Sequence, residues 1–142
     1  MSNKNLKQRI RDGDQVLGVS VPINPDRDRL ERILSKDNYD FVSIDSQHSA
    51  YNEDTLAQFC GMASDIGIPV QFRIKNTRHA YLVGNHLDLG PSGIEIPQVE
   101  DETTVDEALD YFYYPQRGIR SWGGVHRYGI DETPDRLDYA TA

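Results

Sequence analysis

The chain has 142 residues with a formal net charge of -8, and its 37 % hydrophobic and 27 % charged content describes one modest domain able to bury a core. The acidic balance excludes a broad nucleic-acid surface, which needs a basic face. No apolar run approaches the roughly 20 residues that cross a bilayer, and Met1–Arg11 lacks the apolar stretch of a secretory signal. Cys60 is alone, which excludes a disulfide framework and a thiolate metal cluster and suits a reducing cytoplasm.

In chain order, Leu6 and Ile10 predict a short leading helix that ends before Gly13. Val16–Val21 is the first apolar strand segment. Asn24-Pro25 reads as a cap with proline in the first turn, opening a helix whose apolar face is Leu30, Ile33 and Leu34. Phe41–Asp45 is the second strand. Leu56, Phe59, Cys60 and Ala63 share one face of the next helix, which Gly67 ends before Pro69–Ile74 forms the third strand. Thr77 reads as the cap of a helix carrying Leu82, Val83 and Leu87, with His79 and His86 on its polar surface. Gly93–Gln98 is the fourth strand. Thr104 and Glu107 have capping-box spacing before a helix with an apolar face of Val105, Ala108, Leu109 and Phe112. Tyr114–Gly124 reads as a loop by its Pro and Gly content, and Thr133-Pro134 opens a last helix over Asp135–Ala140.

Strands starting roughly every 25 residues, separated by helices, predict βα units in a parallel sheet. The length alone favours an open doubly wound sheet over a barrel, because eight βα units need about 250 residues. In either architecture function gathers at the carboxyl ends of the strands. Those ends carry Asp45-Ser46-Gln47-His48, then Arg73 with Lys75-Asn76, then Glu95, Pro97 and Gln98. A histidine near neutral pH can move a proton, and an arginine can hold a carboxylate through two parallel hydrogen bonds. Bland roles are equally open at this point. Asp45 can cap a helix, His48 can be a solvated loop residue, and Arg73 can pair structurally with Asp45. His126 has no visible partner. The histidines lack zinc spacing, the glycines do not form GxGxxG, and Cys60 lies on an apolar helix face.

Phe41–His48 resembles an apolar strand ending in Asp-x-Glu-His. Val70-Gln71-Phe72-Arg73 resembles a strand presenting an arginine, Leu87-Asp88-Leu89-Gly90 a Leu-Asp-x-Gly turn, and Gly93–Val99 a strand ending in Pro-x-Val. Tyr114-Pro115, Arg117–Arg120 and Gly123 resemble a Tyr-Pro-Pro-x-Gly-x-Arg-Gly loop. Together with the opening Leu6–Gly18, these motifs stand in the order and spacing of the HpcH/HpaI aldolase family, over Leu6–Gly124. The resemblance implies the N-terminal half of a (β/α)8 TIM barrel, about four βα units forming one partial domain over residues 1–142.

It also implies a class II pyruvate aldolase, a carbon–carbon lyase in which a divalent metal (Mg2+, Mn2+ or Co2+) holds a 2-oxo acid and pyruvate is exchanged with an aldehyde. His48 would be the general base and Asp88 would orient it. Arg73 would hold the substrate's carboxylate or carbonyl oxygen and stabilise the enolate. Asp45 would be a site acid, and Gln47 and Gln98 would contact substrate. Gln47 stands where the family has Glu, which keeps the shape and removes the charge. The family's metal ligands, a Glu after the fifth strand and an Asp after the sixth, fall beyond this sequence, so no residue here takes that role. Family members are commonly homo-oligomers, and the same is expected here. Four units would leave the first and fourth strands as open edges beside an apolar inner face. Two further readings are a non-catalytic half-barrel that binds or assembles, and a flavodoxin-like regulatory domain.

Overall fold

A computed structural model describes residues 5–24 and 26–123. Four parallel strands form one sheet in the order β1-β2-β3-β4: β1 Gly18–Ser20, β2 Phe41–Asp45, β3 Val70–Arg73 and β4 Gly93–Glu95. Helix α1 (Leu6–Arg11) precedes the sheet, and α2 (Arg27–Leu34) and α3 (Glu53–Ile66) cross between strands. A 3-10 helix (Thr77–Leu82) running into α4 (Val83–Leu87) makes the third crossover, and α5 (Glu102–Phe112) follows β4. This is an α/β half-barrel, with each of the first three strands returning through a helical segment to the next strand beside it.

The register sorts the side chains onto two faces. Val42, Ile44, Val70 and Phe72 are buried beneath Leu30, Leu56, Phe59, Cys60 and Ala63, which form the core between sheet and helices. Their alternates point to the uncovered face, because successive residues of a strand take opposite sides. Cross-strand pairing sets these alternates in rows. Ser20, Ser43, Gln71 and Gly93 make one, and Asp45, Arg73 and Glu95 make the next towards the carboxyl end. The open inner face is therefore polar in its two upper rows, against the apolar face expected from sequence. Phe41 is its aromatic exception, with a ring lying where a side chain on Gly18 would begin, 2.3 Å from an added Cβ.

Several boundaries shift for local reasons. Asp26, whose carboxylate accepts the Arg29 N–H at 3.0 Å, caps α2 in place of Asn24; Pro25 lies outside the described residues. Asn76 accepts from the Arg78 N–H and caps the 3-10 helix, which frees the Thr77 hydroxyl to donate to the Pro97 carbonyl at 2.5 Å. Asp101, not Thr104, caps α5. Gly67 ends α3 in the left-handed region at φ 86°, as expected of a helix-terminal glycine. Arg9 pairs with Asp40, whose carboxylate also accepts the Leu17 N–H, and so pins α1 to the amino end of the sheet.

The apolar face of α5 is turned from the one anticipated. Ala108 is buried while Val105 and Leu109 remain 45 % and 47 % exposed. Backbones approach closely here, since a Cβ on Gly84 of α4 would lie 2.7 Å from the Tyr111 carbonyl oxygen. Only small residues fit such a contact, so Ala108 faces inward and the larger side chains do not. His86 is also corrected, because it lies on the buried side of α4 at 4 % exposure. The Tyr114–Gly123 segment is irregular as expected, yet Tyr114 and Arg120 are buried within it. Gly124, His126 and the helix expected over Asp135–Ala140 lie outside the described residues.

Two predictions follow from packing and edges. A Cβ on Gly118 would sit 2.4 Å and 2.5 Å from the carbonyl oxygens of Asp110 and Tyr113, whereas one on Gly93 meets nothing within 4 Å. Gly118→Ala should therefore destabilise the chain by about 1–3 kcal/mol and lower its urea midpoint, while Gly93→Ala leaves packing unchanged. Among the described residues β1 pairs only with β2 and β4 only with β3, which leaves two unpaired edges. Light scattering of the purified chain should give a concentration-dependent mass above that of a monomer, and a monomer at all concentrations would show that the edges are protected.

Candidate active site

The carboxyl ends of β2, β3 and β4 bring the expected residues to one rim. Asp45 and Arg73 occupy paired positions on adjacent strands, and their side chains meet in a fork: Arg73 Nε donates to Asp45 Oδ1 at 2.9 Å and Nη2 to Oδ2 at 2.8 Å. Two parallel charge-assisted bonds fix the guanidinium plane. Arg73, followed by the backbone N–H groups of Gln47 and His48, holds the Asp45 carboxyl at about 2, against the opposing effect of burial. The third guanidinium nitrogen, Nη1, faces Glu95 at 4.0 Å, too far for a hydrogen bond. That edge of Arg73 is shared with the Glu95 carboxylate and makes no hydrogen bond to it.

The β2–α3 loop carries the remaining groups. Ser46 is buried, and both its N–H and its hydroxyl donate to the Arg73 carbonyl, at 3.1 Å and 2.7 Å. Gln47 extends towards β4, where its amide donates to the Gln98 side-chain oxygen at 3.3 Å. Gln98 holds φ 51°, a left-handed conformation unusual for a residue with a side chain. His48 follows and is exposed.

Asp88 does not join this rim within one chain. It ends α4 at the turn into β4, where the Ser92 N–H donates to Val70 at the start of β3, so it lies towards the amino end of the sheet. Its carboxylate accepts from Arg120 Nη2 at 2.8 Å, and the Arg120 guanidinium lies 4.6 Å from the centre of the Tyr114 ring. Sequence reading treated Arg120 only as part of a loop motif. The signal for its burial was the Tyr-Pro-…-Arg spacing, but motif spacing gives no depth.

Two hollows elsewhere are poorer candidates for an anionic ligand. A cleft of about 430 Å3 beside Cys60, Gly67, Pro69 and Gly90 lies at the amino end of β3. Burial pushes the Cys60 thiol up to about 12, so no thiolate is available there. An open hollow of about 510 Å3 is walled by Glu100, Asp101 and Glu107 with Arg78, a predominantly negative lining. Among the described residues no three His, Cys, Asp or Glu side chains gather closely enough to hold a metal ion. The chain's own described residues therefore do not fit the divalent ion that the motif resemblance implies.

No family model matches the chain and no curated protein matches it. Solved structures do. Citrate synthase SbnG is 34 % identical, with a TM-score of 0.71 over 83 % of this chain and 47 % of that one. An HpcH/HpaI aldolase from Desulfitobacterium hafniense DCB-2 is 29 % identical, with a TM-score of 0.71 over 84 % of this chain and 46 % of that one. Macrophomate synthase is 26 % identical, with a TM-score of 0.70 over 96 % of this chain and 49 % of its own. The chain thus spans about half the length of the structures it matches.

Stability should fall in two separate pH windows. Burial, set against a raising contribution from Glu53, holds His86 below its ordinary 6.5, so the unfolded chain takes up a proton first and stability declines as pH drops below about 6.5. Asp45 acts in the same direction at lower pH, with stability present above about 4 and lost towards pH 2, alongside Asp40 and Asp101, which are also held low. Urea midpoints measured from pH 8 to pH 3 should show both declines, and His86→Phe should flatten only the first.

Proposed function

From its place in the HpcH/HpaI aldolase family, as the N-terminal half of that family's barrel, we propose that the chain supplies the anion-holding wall of a carbon–carbon lyase acting on small 2-oxo acids. One observation carries this reading. Arg73 is locked by Asp45 on the rim, with one guanidinium edge left towards the open face and with His48 three residues beyond Asp45. In this scheme the Nη1 edge of Arg73, which Glu95 faces without a hydrogen bond, holds the carboxylate or carbonyl oxygen of a 2-oxo acid such as pyruvate, and Gln47 and Gln98 border the same position.

His48 takes the proton from the hydroxyl of a 4-hydroxy-2-oxo acid. The carbon–carbon bond then breaks, an aldehyde leaves, and the electron pair passes into an enolate whose negative oxygen lies against Arg73. Reprotonation at carbon gives pyruvate. The same positions run in reverse for bond formation. The orienting role that the family resemblance gives Asp88 requires its carboxylate to reach a histidine on the rim, and within one chain that carboxylate is engaged by Arg120.

In the complete barrel protein, Arg73→Ala should lower kcat/KM by on the order of 100-fold or more, through loss of a charge-assisted contact to an anion. Arg73→Lys should recover little, since a point charge cannot copy the fork. Near-normal turnover of Arg73→Ala would remove the residue from the site. The 142-residue chain alone should release no pyruvate with or without Mn2+, and metal-stimulated turnover by it would mean that the residues carrying the chemistry had been misplaced.

A further inference from the structure

The loop that bears His48 is short, and its centre is exposed: His48, Ser49 and Ala50 all face solvent. Its first residue is held by the two Ser46 bonds to the Arg73 carbonyl. Its far end is held by Tyr51. The Tyr51 hydroxyl lies 3.4 Å from His86 Nε2 on α4. Phe72 is packed between the two rings, 5.4 Å from Tyr51 and 5.3 Å from His86, centre to centre.

This arrangement costs stability. His86 is 4 % exposed, and its buried Nδ1 makes no hydrogen bond of normal geometry. A buried polar atom left unpaired is unfavourable, and two apolar rings would fill the same space more cheaply. A polar pair does what apolar packing cannot, because it sets one distance and direction between the loop and α4.

We propose that Tyr51, held by His86, is a positioning residue that fixes the His48 loop relative to the strand carrying Arg73. The catalytic side of this inference rests on the role given to His48 above; the anchoring of the loop does not. Ser46 ties the loop to the backbone of Arg73 itself, and Tyr51 closes the other end on the helix leading to β4. His48 is then confined to a four-residue span, Gln47–Ala50, between two fixed points.

Hydrogen exchange followed by mass spectrometry on the full chain tests the anchor. Tyr51→Phe keeps the ring and removes only the oxygen, so the fold is retained. It should raise exchange of the Ser46 and Gln47 amides, which donate to the Arg73 carbonyl and to Asp45 Oδ1, about tenfold, the loss of one modest hydrogen bond, without changing α5. His86→Phe should do the same, and His86→Gln, which can still bond the Tyr51 oxygen, should restore part of the protection. Unchanged loop exchange in Tyr51→Phe, or an increase shared equally by α5, would overturn the proposal. In the complete enzyme Tyr51→Phe should lower kcat with little change in KM, and an unchanged kcat with a loosened loop would overturn the positioning role. Full activity of His48→Ala would instead sink the function assigned to His48 and leave the exchange result standing.

Discussion

The parallel register of β2 against β3 decides what this sheet can do. It sets Asp45 opposite Arg73 and, in the same step, sends Ile44 and Phe72 into the core. A slip of one residue would exchange the two faces, placing the ion pair under the helices and two large apolar side chains on the open face. The hydrophobic core therefore enforces the geometry of the rim. The same register brings the Arg73 carbonyl to Ser46, so the loop beyond β2 is anchored to the strand whose side chain it flanks.

The rim is one wall of a site and not a closed pocket. The row Asp45–Arg73–Glu95 contains two carboxylates and one guanidinium. With Arg73 already forked to Asp45 and Glu95 beside it, that row is net negative and by itself opposes an anionic substrate. Such a substrate needs further positive charge from outside these three residues. This agrees with a chain that spans about half of each matched barrel, and with described residues that form no metal-binding group of their own. The polar inner face has the same logic, because groups such as Ser43 and Gln71 are expensive to cover unless the opposite wall offers them partners.

Buried polar groups away from the rim serve the connections. Arg120 closes the segment after α5 onto Asp88 and Tyr114 with its guanidinium, and packs its aliphatic stem against Gly84. Removing Arg120 would leave Asp88 without its cation in a half-buried setting, the more costly way to break such a pair. His86 and Tyr51 play the corresponding part for the loop after β2. In both cases a polar contact gives a connection a single geometry that its apolar neighbours would leave loose.

By itself the sequence determined the alternation of strands and helices, the apolar face of α3 and the left-handed stop at Gly67, because each depends on periodicity or on one residue's backbone freedom. The strand-end residues Asp45 and Arg73 were legible for the same reason, whereas β4 stops at Glu95 and leaves Gln98 three residues beyond it; the ordered motifs carried the family. Depth and partnership were not legible. The inward turn of Ala108 in place of Leu109 came from a close helix approach at Gly84, and the burial of His86 came from its seat on Phe72. The polar inner face came from pairing between strands some 25 residues apart. The engagement of Asp88 by Arg120, at the other end of the sheet from His48, joins positions 32 residues apart. Such facts belong to the packing of distant segments, and tertiary contact decides them because nothing in the local chain encodes which surface will be covered.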